Sequence, residues 1–361
     1  MMRRRQFLRA ALRDVPLVAG LIACRTASPA PTAWTTEPRP LPADFRRGMN
    51  FAHLHRRGYG YGSERARKQL ERLMGIGVTD IALNPFAYTP RLDSPRIVWG
   101  GDDSMTDDDI RMQCAQARAL GIRVMMKPHL WSQSYAAGKG NPDIDLTPAD
   151  WVVWFAEYTK YVLHFAALAE ECGCVSLCVG LEYTIASREN PGAWAAVAKA
   201  CREVYKGELI YAANWYEEWE QFTDWAAFDA VGIDAYFPLT GTTVEELTAS
   251  WIPHLDRIEK TIEKTIEKTI KKPGLPVIFT EAGFQSVVGA AAHPWESNDG
   301  GAPDLEGQAR AYEALLRATT ARPWFRGVYW WKWFTDLPGE SDPFVPAGNP
   351  AEGVLKAWFV G

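Results

Sequence analysis

Eight short β-rich runs recur along this chain with helix-like segments between them, and that alternation restricts the possible folds more than any other feature. The runs are FRRGMNFAH (45 to 53), VTDIALNPF (78 to 86), IRVMMKPHLW (122 to 131), CVSLCVGLEYT (174 to 184), ELIYAANW (208 to 215), AVGIDAYFPL (230 to 239), PVIFTEAGF (276 to 284) and FRGVYWWKW (325 to 333). Amphipathic stretches at 64–75, 106–120, 148–172, 190–205, 244–271 and 305–321 fill the intervals. Strand followed by helix followed by strand implies parallel strands, each connection crossing back over the sheet. Eight such units, with no nucleotide-type Gly fingerprint after the first strand, favour an α/β chain closed into a (β/α)8 TIM barrel over an open doubly wound sheet. One domain is expected over residues 44–361, a size that α/β barrels reach as single domains.

The N-terminal segment reads differently. RRQFLR (4 to 9), an apolar run from Val15 to Ala23 and LIAC ending at Cys24 resemble a twin-arginine export signal joined to a lipoprotein cleavage box. The apolar run is too short to persist as a spanning helix. The reading is therefore residues 1–24 as export signal, Cys24 as the lipidated first residue of the mature chain, and the Pro-, Ala- and Thr-rich residues 25–43 as a flexible tether. The expected location is outside the inner membrane, with the membrane touched only through the lipid. Further along, EKTI occurs three times from Glu259 to Ile270, which spaces Ile262, Ile266 and Ile270 four residues apart and preserves an apolar stripe on a lengthened surface helix.

Composition excludes several function classes. The formal net charge is -5, and no block of Lys and Arg is placed to track a phosphate backbone, so nucleic acid is not an expected partner. Cys114, Cys172, Cys174, Cys178 and Cys201 contain no C-x-x-C pair and the six His are scattered, which argues against a metal site. Cys172 and Cys201 could meet if their helices are neighbours. No phosphate loop, Ser-His-Asp arrangement or G-x-S-x-G elbow is present, and no cofactor is implied. Aromatic residues are abundant, with 16 Trp, 13 Tyr and 15 Phe, and many Trp stand beside Asn, Glu, His or Asp. Such rings fill cores by default, but at strand ends they also stack on sugars.

In a barrel of this kind the side chains at the C-terminal strand ends converge on one mouth. Reading those ends in order gives Asn50 and His53, Asn84, Lys127 and His129, Glu182, Asn214, Asp234 and Tyr236, Glu281, and Trp331. Two are carboxylates closing strongly apolar strands, Glu182 after VSLCVGL and Glu281 after PVIFT. A carboxylate at such a place has a cationic or hydrogen-bonding partner, or a chemical task. A salt bridge to Lys127 or Lys332 within the mouth would satisfy the first condition. Glycoside hydrolysis is a task that needs such a pair, one acid to protonate the leaving oxygen and one carboxylate to attack the anomeric carbon or activate water.

Six motifs in order, GLEYT (180 to 184), YAANW (211 to 215), GIDAYFPL (232 to 239), FTEAGFQS (279 to 286), GAAAHPW (289 to 295) and GVYWWKW (327 to 333), resemble glycoside hydrolase family 113. That family consists chiefly of β-1,4-mannanases within the four-seven clan of retaining barrel glycosidases. The resemblance spans the barrel from first strand to last. It implies Glu182 as acid/base, Glu281 as nucleophile and Tyr236 as the sixth-strand hydroxyl that orients the nucleophile. Trp331 resembles the aromatic floor under the sugar being cleaved. Asn214 and Trp215, His129 and Trp131, and His293 and Trp295 are implied as subsite walls, with Asn84 and Asp234 among the mouth residues. Much of the wider clan carries Asn immediately before the acid/base to contact the sugar 2-hydroxyl. This chain has Leu181 there, so another residue, such as Asn214 or His129, must supply that contact, or recognition of the 2-position is altered. The leading expectation is a mannan- or glucomannan-cleaving hydrolase with an oligosaccharide or polysaccharide as its partner. A retaining glycosidase for another β-linked glycan and a non-catalytic sugar-binding lipoprotein are the alternatives. Two facing carboxylates disfavour each other's ionisation, which argues against the last.

Overall fold

The computed structural model describes residues 40–101, 105–132, 143–263, 275–296, 301–337 and 342–361. Cys24, the export signal, most of the tether, Ile266 and Ile270 lie outside the described residues. Among the described residues there are ten strands: β1 (Arg46–Ala52), β2 (Asp80–Leu83), β3 (Phe86–Thr89), β4 (Arg123–Met126), β5 (His129–Ser132), β6 (Ser176–Leu181), β7 (Glu208–Asn214), β8 (Ala230–Asp234), β9 (Val277–Ala282) and β10 (Phe325–Phe334). Eight of them close into a barrel in the order β1-β10-β9-β8-β7-β6-β4-β2, and the remaining two, β3 and β5, form a separate parallel ribbon. Every barrel pairing is parallel.

The ribbon is a departure from the sequence reading, which ran β2 into β3 and β4 into β5 as single strands. Pro85 and Pro128 stand in the two gaps, and a residue without an N–H cannot continue a ladder in the middle of a sheet. The paired breaks stay in step, since the Lys127 N–H donates to the Leu83 carbonyl and the His129 N–H to the Pro85 carbonyl. The chain thus continues beyond the barrel and brings His129 and Trp131 to the rim.

The longest helix among the described residues, Pro148–Cys172, has its expected bounds. Thr147 accepts the Asp150 N–H at its start, Pro148 takes the first turn where no intrahelical partner exists, and Gly173 closes it in the left-handed conformation. Trp151, Trp154, Tyr158, Tyr161, Val162 and Phe165 recur at helical spacing and are buried against the sheet. Capping boxes at Thr106 and Thr243 start the helices Asp107–Ala119 and Val244–Thr261. The interval after β7 holds no comparable helix, only Glu218–Gln221 and a 3-10 turn at Trp225–Ala227. After β10 the chain adds the helix Pro350–Val360.

Apolar burial is divided between two main layers. Ala82, Met125, Cys178, Leu181, Ile210, Ala212, Ala230, Ile278 and Tyr329 form a cluster drawn from seven of the barrel strands, while the larger cluster lies between sheet and helices. All five described cysteines are free and buried. Cys172 does not bond to Cys201: it interacts with Cys114, whose sulfur also lies 4.0 Å from that of Cys174. No described helix is long and apolar enough to cross a membrane. No group of three or more His, Cys, Asp and Glu among the described residues could hold a metal ion.

Candidate active site

The polar layer at the barrel mouth follows from register. Asn214 at the end of β7 pairs with Asp234 at the end of β8, and Asp234 pairs with Glu281 of β9. Counting only barrel strands, Glu182 follows the fourth and Glu281 lies on the seventh. His129, Trp131, Glu182, Asn214, Trp215, Tyr236, Glu281, Trp295 and Trp331 all line one cleft of about 380 Å³.

Glu281 is 5% exposed and donors reach both of its carboxylate oxygens. The Tyr236 hydroxyl donates to Oε2 at 2.8 Å, and the Lys127 ammonium donates to Oε1 at 2.5 Å. Lys127 is fully buried and also reaches Asp234 Oδ1 at 3.4 Å, an oxygen that accepts the Thr280 hydroxyl at 2.7 Å. Burial alone would lower the Lys127 ammonium, but the facing carboxylates of Asp234 and then Glu281 outweigh it and hold it above its ordinary value. The salt bridge weighed from sequence is therefore present at Glu281, on a carboxylate that still faces the cleft. Lys332 pairs elsewhere, with Asp342 at 2.8 Å.

Glu182 is built differently. It is half-buried, its N–H donates to the Ala212 carbonyl at 2.8 Å, and its φ of 51° is a left-handed value that residues with a Cβ rarely adopt. This twist ends β6 at Leu181, three residues before the run of β-formers ends. Asn214 Nδ2 donates to Glu182 Oε1 at 2.7 Å. The assignment of the Asn214 amide is fixed by its other end, because Oδ1 accepts the Tyr216 backbone N–H at 2.8 Å and only an oxygen can do so. Leu181, in the position where the wider clan carries an amide, lines the same cleft.

The aromatic walls divide into two groups. The Trp215 and Trp295 rings stack with centroids 4.9 Å apart, and Tyr236, Trp331 and Phe344 complete that cluster. The second group meets the first at Trp331, to which the His129 ring lies nearly parallel at 6.0 Å. Gly283 allows β9 to approach this floor, since a Cβ there would sit 2.4 Å from the Trp331 carbonyl oxygen.

Three expected site residues do not line the cleft. Asp234 is fully buried beneath it as the partner of Lys127 and Thr280. Asn84 is buried with Nδ2 2.9 Å from His129 Nε2, so it supports His129 from below. His293 is exposed and sets its ring edge-on to Trp295 at 5.3 Å. Conversely, Tyr183, Arg188, Tyr216 and Glu217 line the cleft without having been singled out, and Glu218 lies directly behind Asn214. The acidic pair in NWYEEW, immediately after a mouth residue, was the available signal.

Residues 49–345 match the family model described as Glycoside Hydrolase Family 113. Among solved structures, a family 113 β-mannanase from Alicyclobacillus acidocaldarius is similar at 28% identity and a TM-score of 0.76, covering 88% of this chain and 97% of its own. A second family 113 β-1,4-mannanase is similar at 25% identity and a TM-score of 0.74, covering 88% and 99%. A β-glucuronidase from Ruminococcus gnavus, at 12% identity and a TM-score of 0.53, shares the fold over 81% of this chain and 45% of its own. No curated protein matches.

Proposed function

Because this chain belongs to glycoside hydrolase family 113, and is accordingly a glycoside hydrolase, we propose that it cleaves β-1,4-linked mannan or glucomannan by double displacement, with Glu182 as acid/base and Glu281 as nucleophile. The observation that carries this reading is the contrast between the two carboxylates within one cleft. Glu281 is gripped at both oxygens by a cation and a phenol, whereas Glu182 is half-buried and accepts the Asn214 amide N–H at Oε1. The solved family 113 structures at 28% and 25% identity are mannanases, which supports the choice of glycan.

The steps follow from those surroundings. Lys127 and Tyr236 hold the two oxygens of Glu281 in place for attack on an anomeric carbon. Asn214 holds Oε1 of Glu182, and Oε2 carries the proton to the leaving oxygen. Glu182 gives its proton to the departing oxygen as Glu281 bonds to the sugar, and is thereby left as the carboxylate that the second step needs. The Asn214 N–H then stabilises the Glu182 carboxylate as it takes a proton from the incoming water. Trp331, with the Trp215 and Trp295 stack, supplies flat apolar faces for sugar rings.

Product analysis on mannan, glucomannan, cellulose and xylan oligosaccharides tests the substrate. Cleavage of mannose-containing chains with β-anomeric products supports the proposal; cleavage of cellulose or xylan oligosaccharides alone overturns the glycan, and inverted products overturn the mechanism. We also propose that the protein is exported and acylated at Cys24, on the order of RRQFLR before LIAC.

A further inference from the structure

Behind Asn214 lies a buried carboxylate that the reaction steps above do not use. Glu218 is 2% exposed, and its side chain joins the two chain segments that form the Glu182 corner. Oε2 accepts the Asn214 backbone N–H at 2.7 Å and the Thr184 hydroxyl at 3.4 Å. Oε1 accepts the Tyr211 hydroxyl at 2.6 Å and the Ser187 hydroxyl at 2.9 Å. Thr184 and Ser187 belong to the short helix directly after Glu182, while Tyr211 and Asn214 belong to β7. The loop that presents Glu218 is itself strained, with Glu217 at φ 65°.

We infer that Glu218 is the positioning residue of the acid/base: one buried carboxylate holds both ends of the Asn214–Glu182 hydrogen bond, and so sets where Glu182 Oε2 points. Asn214 is fixed at its backbone by Glu218 and at its amide oxygen by Tyr216, which leaves Nδ2 only one direction, toward Glu182. On the other side the left-handed Glu182 backbone is followed, two and five residues on, by the Thr184 and Ser187 hydroxyls anchored on the same Glu218. A conformation that costs about 1–3 kcal/mol persists only where its surroundings over-determine it, and Glu218 is the group that ties those surroundings together. The inference rests on Glu182 being the acid/base.

The test compares Glu218→Ala and Glu218→Gln on two substrates, mannopentaose and dinitrophenyl β-mannobioside, with kcat/KM as the readout because it reports the first chemical step. The dinitrophenolate leaves without protonation, so a displaced acid/base harms only cleavage of mannopentaose. Glu218→Ala should lower kcat/KM about a hundredfold on mannopentaose, the scale of an ångström's misplacement, and change it little on the aryl substrate. Glu218→Gln should stay close to wild type on both, since its carbonyl can accept the Asn214 N–H and its amide can donate to the Tyr211 and Ser187 hydroxyl oxygens. Equal losses on both substrates for Glu218→Ala, or no recovery in Glu218→Gln, would overturn the inference. Should the Ala variant not fold, Ser187→Ala and Tyr211→Phe each delete one donor and should show a smaller loss of the same leaving-group dependence; its absence counts against the inference equally. Glu182→Ala on the same substrates separates the two readings. If it shows no leaving-group dependence, the acid/base assignment itself fails, whatever Glu218 does.

Discussion

Lys127→Met removes the ammonium that Asp234 and Glu281 share while keeping a stem of similar length. Its ammonium lies 2.5 Å from Glu281 Oε1 and 3.4 Å from Asp234 Oδ1, with the lysine and aspartate side chains fully buried. Deleting one partner of a buried ion pair leaves an uncompensated charge and typically costs about 3–5 kcal/mol. Because two carboxylates lose the same cation here, the upper part of that range is expected at neutral pH. Lys127 sits above its ordinary value in the folded protein, so its contribution is fully present below the unfolded lysine value of about 10.4 and is lost only as pH rises through the higher folded value. Urea denaturation of wild type and variant at pH 7 should therefore differ by about 4–5 kcal/mol. Lowering the pH should narrow the gap, because protonating a carboxylate beside the deleted ammonium offsets the lost charge. A loss below about 1 kcal/mol at pH 7, the scale of an exposed ion pair, would refute the argument that this network is buried and coupled.

Three further outcomes are expected. Tyr236→Phe removes the donor to Glu281 Oε2 and should lower kcat on mannan oligosaccharides by about ten- to hundredfold with little change in thermal stability, measured by steady-state kinetics beside a melting curve. Trp295→Ala unstacks Trp215 and should raise KM for longer mannan oligosaccharides more than it lowers kcat on short ones; a pure loss of kcat would remove that wall from substrate binding. Replacing Cys24 should move the protein from the membrane to the soluble fraction, and failure of radiolabelled fatty acid to enter the wild-type chain would contradict acylation.

The barrel was legible because its signals are local. Strands and helices alternate with the right periods, and the helix Pro148–Cys172 carries its own start and stop residues in Thr147, Pro148 and Gly173. The breaks at Pro85 and Pro128 were equally local but were overridden by the continuous apolar runs around them. Strand-end reasoning brought Glu182, Asn214, Tyr236, Glu281 and Trp331 to one mouth, since alternation around the end of a parallel strand limits where they can point. The same reasoning cannot separate a residue that faces the cleft from one a layer below. Asn84 and Asp234 are therefore a support and a counter-charge, distinguished only by which neighbours pack over them. Glu218 was harder still, because its partners Thr184, Ser187, Tyr211 and Asn214 meet only after β6 and β7 pair. The free cysteines make the same point: helix adjacency permits a contact between Cys172 and Cys201, but side-chain direction turns Cys172 to Cys114 instead.

The central claim is that Glu281 forms a glycosyl-enzyme with a mannose-configured sugar while Glu182 serves as acid/base. A fluorinated β-mannobiosyl fluoride, which has a good leaving group and a slowed second step, should trap that intermediate for intact-mass analysis and peptide mapping. The account predicts a single added sugar moiety on the peptide containing FTEAGF, with the ester at Glu281, and its loss when Glu281 is replaced by Ala. A protein that turns over mannan oligosaccharides yet never carries the label, or carries it on Glu182, would contradict the account.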